Sequence, residues 1–254
     1  MNVRMILKGI KSNPLAEFLE ELEQRHRASS AIIMYNDVGL YVEGYAFYYL
    51  TLERLLTEMS LARRFQNGPY YALKYGAKYT PQEQKLAKRF RETDRYFDLD
   101  FLGFLILSRI LIDRTIALSK YFLTGESLPS FVSFNRHKKF FQNPSNRPYG
   151  KHEKYAQYVC DETAWFDETL KPVRDKFLVH PQQNHVKLYG LPDSGASEIE
   201  MVIFIPSGTS GGSQAKFDLK RVSIVKLIEN IQDFLRFFGN YGNNILKGEN
   251  TFAI

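Results

Sequence analysis

The segment Val173-Arg174-Asp175-Lys176-Phe177-Leu178-Val179-His180-Pro181 gathers residue types that can act together on a phosphate. An arginine stays charged and offers a fork of donors to phosphate oxygens. A histidine titrates near neutral pH and can both accept and return a proton. Asp175 can orient either one. Arg174 and His180 have five residues between them. On an ideal helix that is about 600° of rotation, so the two side chains point roughly 120° apart. Pro181 disfavours helical geometry at His180, so the helix is expected to stop there and let the imidazole turn away. A structural alternative stays open. Arg174 could pair with Asp175, Glu168 or Asp113, and His180 could serve as a helix C-terminal residue favoured by the macrodipole.

A second Arg/His pair, Arg147 and His152, has four residues between its members. It starts in a Pro/Gly loop and ends where a helix begins, whereas Arg174 to His180 ends a long amphipathic helix. The later pair is therefore the candidate. Other chemistries have less behind them. His180 and His185 lack a surrounding acidic or cysteine cluster of the kind a metal site uses. Cys160 sits beside Asp161 and Glu162, which raise a thiol pKa rather than lower it. Residues 207–213 are Gly/Ser-rich but lack the GK[ST] ending of a phosphate-binding loop.

The Arg174-Asp175…His180 pattern resembles the R-x(4–6)-H signature of HEPN domains, in which a polar residue commonly follows the arginine. The resemblance is strongest over about residues 98–180 and in the last helix near 222–245. It implies an up-and-down helical bundle, to which the N-terminal helices and a small β-hairpin inserted before the last helix would be elaborations, giving a mainly α fold. It also implies a metal-independent endoribonuclease. In that chemistry the 2′-OH attacks its own phosphate, leaving a 2′,3′-cyclic phosphate and a 5′-OH. Arg174 would stabilise the phosphate, His180 would move protons and Asp175 would orient them. The family further implies a homodimer, no cofactor and no metal, and roles as toxins with an antitoxin partner or in phage defence. Some members are not nucleases, so a non-catalytic module binding nucleotide, RNA or protein is the alternative.

These residues must be positioned by helices. Pro14 to Arg27 carries Leu15, Phe18, Leu19 and Leu22 on one stripe, with Asn13-Pro14 as its start. Asn36 or Asp37 caps a helix reaching about Phe65, with Tyr41, Tyr45, Tyr48, Leu52, Leu55 and Met59 on its stripe, and Asn67-Gly68-Pro69 ends it. Thr80-Pro81-Gln82-Glu83 reads as the N-terminus of a third helix, running to about Tyr96. A fourth, apolar nearly all round, runs from Asp98 or Asp100 to Leu123 and forms the centre of the bundle. Arg109 and Asp113 interrupt it at i,i+4. They are either an internal salt bridge or support for a site on a facing helix.

Residues 126–150 read as a loop with Pro129, Pro144 and Pro148. Its later part and the following turn carry Arg136, Lys138, Lys139, Arg147, Lys151 and Lys154, interleaved with Phe140, Phe141, Tyr149 and Tyr155. Cations can hold phosphates and aromatics can stack on unpaired bases, so RNA is the expected partner here. The alternative is a solvated loop whose aromatics pack down onto the bundle. A fifth helix spans about residues 151–179, kinked or divided at Pro172. Residues 186–189 and 198–205 alternate as strands, residues 216–220 offer a short third, and a final amphipathic helix covers about 222–238.

The composition fits this plan. In 254 residues there are 34 Lys+Arg against 28 Asp+Glu, a formal charge of +6, which permits nucleic acid without requiring it. A single cysteine excludes an intramolecular disulfide and points to a reducing compartment. Residues 1–10 lack the apolar core of a signal peptide, and the run 101–112 is broken by Arg109 and falls short of a membrane span. The expected location is cytoplasmic with no membrane partner. The length is read as one enlarged domain, 1–254. An N-terminal elaboration covers about 1–97, the core about 98–180 and 222–245, and a hairpin insertion about 184–220.

Overall fold

The computed structural model describes residues 12–26, 32–65, 68–69, 76–123, 132–146, 152–171, 189–191, 200–206, 217–222 and 224–248. These residues are mainly helical. The helices are α1 (Ala16–His26), α2 (Ile32–Phe65), α3 (Pro81–Ala117), α4 (Phe134–Gln142), α5 (Glu153–Asp161) and α6 (Ile224–Lys247). A 3-10 turn, Leu118–Tyr121, extends α3. Backbone strands β1 (Tyr189–Leu191), β2 (Glu200–Pro206) and β3 (Phe217–Val222) pair antiparallel in the order β1-β2-β3, with Tyr189 opposite Val202 and Met201 opposite Val222. Among the described residues no helix is long and apolar enough to cross a membrane.

The chain divides into two compact units. The first comprises Met1–Lys8, Leu50–Ile106 and Pro172–Leu227, and the second Gly9–Tyr49, Leu107–Lys171 and Ile228–Ile254. In the first, α2 and α3 run antiparallel. Thr51 lies opposite Gly103, Arg54 bonds Asp100, and the Phe65 ring stacks on Phe90 with centroids 4.4 Å apart. Leu52, Leu55, Leu56 and Met59 recur at three- and four-residue spacing and are buried, as a helix with one core-facing stripe requires. The start of α3 is the expected capping box. Thr80 N–H donates to Glu83 Oε2 at 2.8 Å, and Glu83 N–H donates to Thr80 Oγ1 at 3.3 Å.

The third and fourth helices expected from sequence are one helix, α3. Asp98 and Asp100 resemble caps, but no Pro or Gly lies between Pro81 and Gly103 to end the helix. Asp100 instead spends its carboxylate sideways, on Arg54 of α2.

The second unit packs around aromatic rings. Phe122 lies edge-on to Phe18 at 5.7 Å, Tyr155 at 5.5 Å, Phe238 at 5.0 Å and Tyr241 at 5.6 Å. Close approach of α6 to α1 depends on two glycines. A Cβ at Gly239 would stand 2.8 Å from the Pro14 carbonyl oxygen, and one at Gly242 would stand 2.6 Å from the Phe18 ring. The loop expected over residues 126–150 contains instead the helix α4. Ser133 caps it, its hydroxyl accepting from Arg136 N–H, and Phe134, His137 and Phe141 form a buried face at i, i+3 and i+7. Of the interleaved aromatics, Phe141 and Tyr155 are buried, so these two rings pack inward.

The fifth helix also departs from expectation. α5 ends at Asp161, a turn at Glu162–Thr163 follows, and helical backbone resumes through the π-turn Phe166–Leu170. At the break the Thr163 hydroxyl donates to the Val159 carbonyl at 2.5 Å. The expected kink at Pro172 lies outside the described residues.

Candidate functional site

Arg174, Asp175 and His180 lie outside the described residues, as do Arg147 and Lys151. What is described is the framework leading up to them, which ends at Lys171.

Arg109 and Asp113 form the internal salt bridge, Arg109 Nε to Asp113 Oδ2 at 3.0 Å. The second carboxylate oxygen, Oδ1, accepts the Phe134 N–H at 2.7 Å and so satisfies an orphan donor at the start of α4. The Arg109 guanidinium lies 4.2 Å from the centre of the Phe166 ring, a cation–π contact made where both groups are buried. One pair thus joins α3, the cap of α4 and the π-turn.

Lys138 makes a second tie. Sequence places it among RNA-contacting cations, but its side chain is 5% exposed and its ammonium bonds Asp167 at 2.8 Å. The same ammonium donates to the Thr163 carbonyl at 3.1 Å. That carbonyl also accepts the Phe166 N–H at 3.1 Å, so the ammonium is its second donor. Asp167 supplies the counter-charge that makes burying an ammonium tolerable. Lys171 Nζ stands 3.7 Å from the other oxygen of Asp167. Composition cannot separate a buried lysine from an exposed one. The usable signal was its place between His137 and Phe141 on an amphipathic helix.

The remaining cations of this stretch divide differently. Arg136 and Lys139 are exposed on α4 and Lys154 is exposed on α5. Their positions suit contacts with an anionic strand, which need accessible charge.

Two histidines of the second unit are used internally. His137 Nε2 shares a hydrogen bond with Tyr155 Oη at 2.8 Å, and His152 Nδ1 shares one with Tyr241 Oη at 2.9 Å. Burial pushes the His137 pKa down from 6.5 to about 3, so this imidazole is neutral at physiological pH. Burial likewise raises the phenols of Tyr155 and Tyr241, so each remains a protonated hydroxyl. His152, the histidine of the second Arg/His match, is buried at the entrance to α5. No protein-family model matches the chain, and no curated protein or solved structure matches it either.

Proposed function

We propose that the chain is a HEPN-type, metal-independent endoribonuclease acting as a homodimer, with a role of the toxin or phage-defence kind. The observation that carries the reading is the fate of the competing histidines. His152 is buried against Tyr241, and His137 is buried and neutral against Tyr155. Neither suits proton exchange with a substrate. Of the two Arg/His matches, the reading therefore rests on Arg174 and His180. The mainly helical structure and the ties from Arg109 and Lys138 to the segment before Pro172 support it further.

In this reading Arg174 neutralises the phosphate as charge builds on it, which an always-charged fork of donors does well. His180 takes the 2′-OH proton, the 2′-oxygen bonds phosphorus, and the P–O5′ bond breaks with protonation of the leaving oxygen. Asp175 orients the pair. Arg136, Lys139 and Lys154 draw the RNA backbone in. Residues 184–220 are read as an insertion ahead of the last helix.

The test is cleavage of several RNAs by purified protein in EDTA, beside His180→Ala and Arg174→Ala. Wild type should release fragments ending in 2′,3′-cyclic phosphate and 5′-OH, and both variants should lose at least a hundredfold in rate (general acid–base groups contribute on the order of 10²–10⁴). Absent cleavage, or equal cleavage by all three, rejects the nuclease. Salt-sensitive RNA binding without cleavage would favour the non-catalytic module.

A further inference from the structure

A different feature lies in the first unit, on the antiparallel contact of α2 and α3. Asp100 is buried, with its side chain 8% exposed, and it accepts a hydrogen bond from Arg54 Nη2 at 2.9 Å. Glu58, one turn beyond Arg54 on the same face of that helix, brings its carboxyl beside that of Asp100. Glu58 Oε2 is buried, and among the described residues no N–H or O–H reaches it. The charges acting on Glu58 among these residues are Asp100 from α3 and Arg54 from its own helix. Arg54 is 62% exposed and already bonded to Asp100, so water weakens its hold on Glu58.

Two carboxylates cannot hydrogen-bond to each other, because each is an acceptor only. A hydrogen bond between them forms only when one of them carries a proton. With both ionised, two like charges face each other in a partly desolvated contact.

We propose that the Glu58–Asp100 pair is a proton-operated latch, closing the α2–α3 contact of the first unit when it holds one proton and loosening it when it holds none. The residue that gains the proton is Glu58, because Asp100 has Arg54 as a counter-ion. Burial and the neighbouring Asp100 carboxyl raise Glu58 from its ordinary 4.5 to about 7. A carboxyl raised on folding contributes stability that is complete below its unfolded value and lost as pH rises through its folded value. The latch therefore closes on the acid side of neutrality and opens on the alkaline side. It is independent of the proposed ribonuclease activity.

The experiment compares the full chain with Glu58→Gln and Asp100→Asn in urea unfolding between pH 5 and 8. Each amide donates a hydrogen bond without titrating. Relative to either variant, wild type should lose up to about tenfold in folding equilibrium constant per pH unit across the window below pH 7. Infrared difference spectra of wild type, folded at both ends of the range, should show a protonated-carboxyl stretch that disappears by pH 8 and is absent from Glu58→Gln. Parallel stability profiles for wild type and both variants would overturn the latch. So would the absence of a Glu58-dependent carboxyl band, a result that needs no variant stability to interpret.

Discussion

The two units solve the burial of ionisable groups in opposite ways, and they respond to acid in opposite directions. In the first, a carboxyl faces a carboxyl, and burial favours the protonated form of Glu58. In the second, an imidazole faces a phenol, and burial favours the unprotonated form of His137. The first arrangement weakens as pH rises from the ordinary value of 4.5 toward about 7. The second contributes stability that is present above the ordinary value of 6.5 and lost as pH falls toward about 3. Across the overlap of these windows the two slopes oppose each other. A flat pH–stability curve for the whole chain would thus be the sum of two steep ones, and only site-directed changes pull them apart.

The contrast extends to ion pairs, and the largest expected effect tests it. Lys138→Ala leaves Asp167 without its buried partner and removes one of two donors to the Thr163 carbonyl, and should cost about 3 kcal/mol in urea unfolding. Arg54→Ala removes an exposed partner in the first unit and should cost about 1 kcal/mol or less, apart from its effect on the carboxyl pair. Similar losses for the two would erase the distinction between a buried tie and a surface one. Gly242→Ala should destabilise by about 1–3 kcal/mol, because the Phe18 and Phe122 rings that crowd its Cβ are themselves packed. A thermal midpoint equal to wild type would mean that α6 can shift there at little cost. His137→Gln keeps a polar partner for Tyr155 and removes the titration. It should remove a slope of up to about 1.4 kcal/mol per pH unit on the acid side of pH 6.5, read from denaturation at pH 4 to 7. A small, local effect is expected at Thr80→Ala, which opens the capping box of α3 and should cost about 1 kcal/mol, measurable as fraying of that helix by amide exchange.

Sequence pattern reached some of this and missed the rest for physical reasons. The stripe from Tyr41 to Met59 predicts α2 because three- and four-residue spacing has one outcome when a face must be buried. The capping box at Thr80 predicts the start of α3 because two reciprocal hydrogen bonds require those side chains three apart. The false boundary near Asp98 arose because an aspartate that caps and one that pairs sideways look alike in sequence. α4 was hidden by the prolines and asparagines on either side of it, although Ser133 with Phe134, His137 and Phe141 carried its signature. Of the candidate site, the i,i+4 spacing made the Arg109–Asp113 pair legible. The further bond to Phe134, the stacking on Phe166 and the burial of Lys138 were not, because each depends on which distant element packs alongside. The motif from Arg174 to His180 stands on sequence alone.

Asp113 divides one carboxylate between two duties, one oxygen for Arg109 and the other for the first amide of α4. That division has an evolutionary consequence. An asparagine there keeps a single oxygen, and an alanine keeps none, so either exchange must abandon a guanidinium, a helix cap or both. Each later substitution in the lineage would then be judged against the earlier one, since contacting residues do not contribute independently. Positions 109, 113 and 166 are expected to drift as a set, and descendants of this chain should carry matched changes at all three or at none.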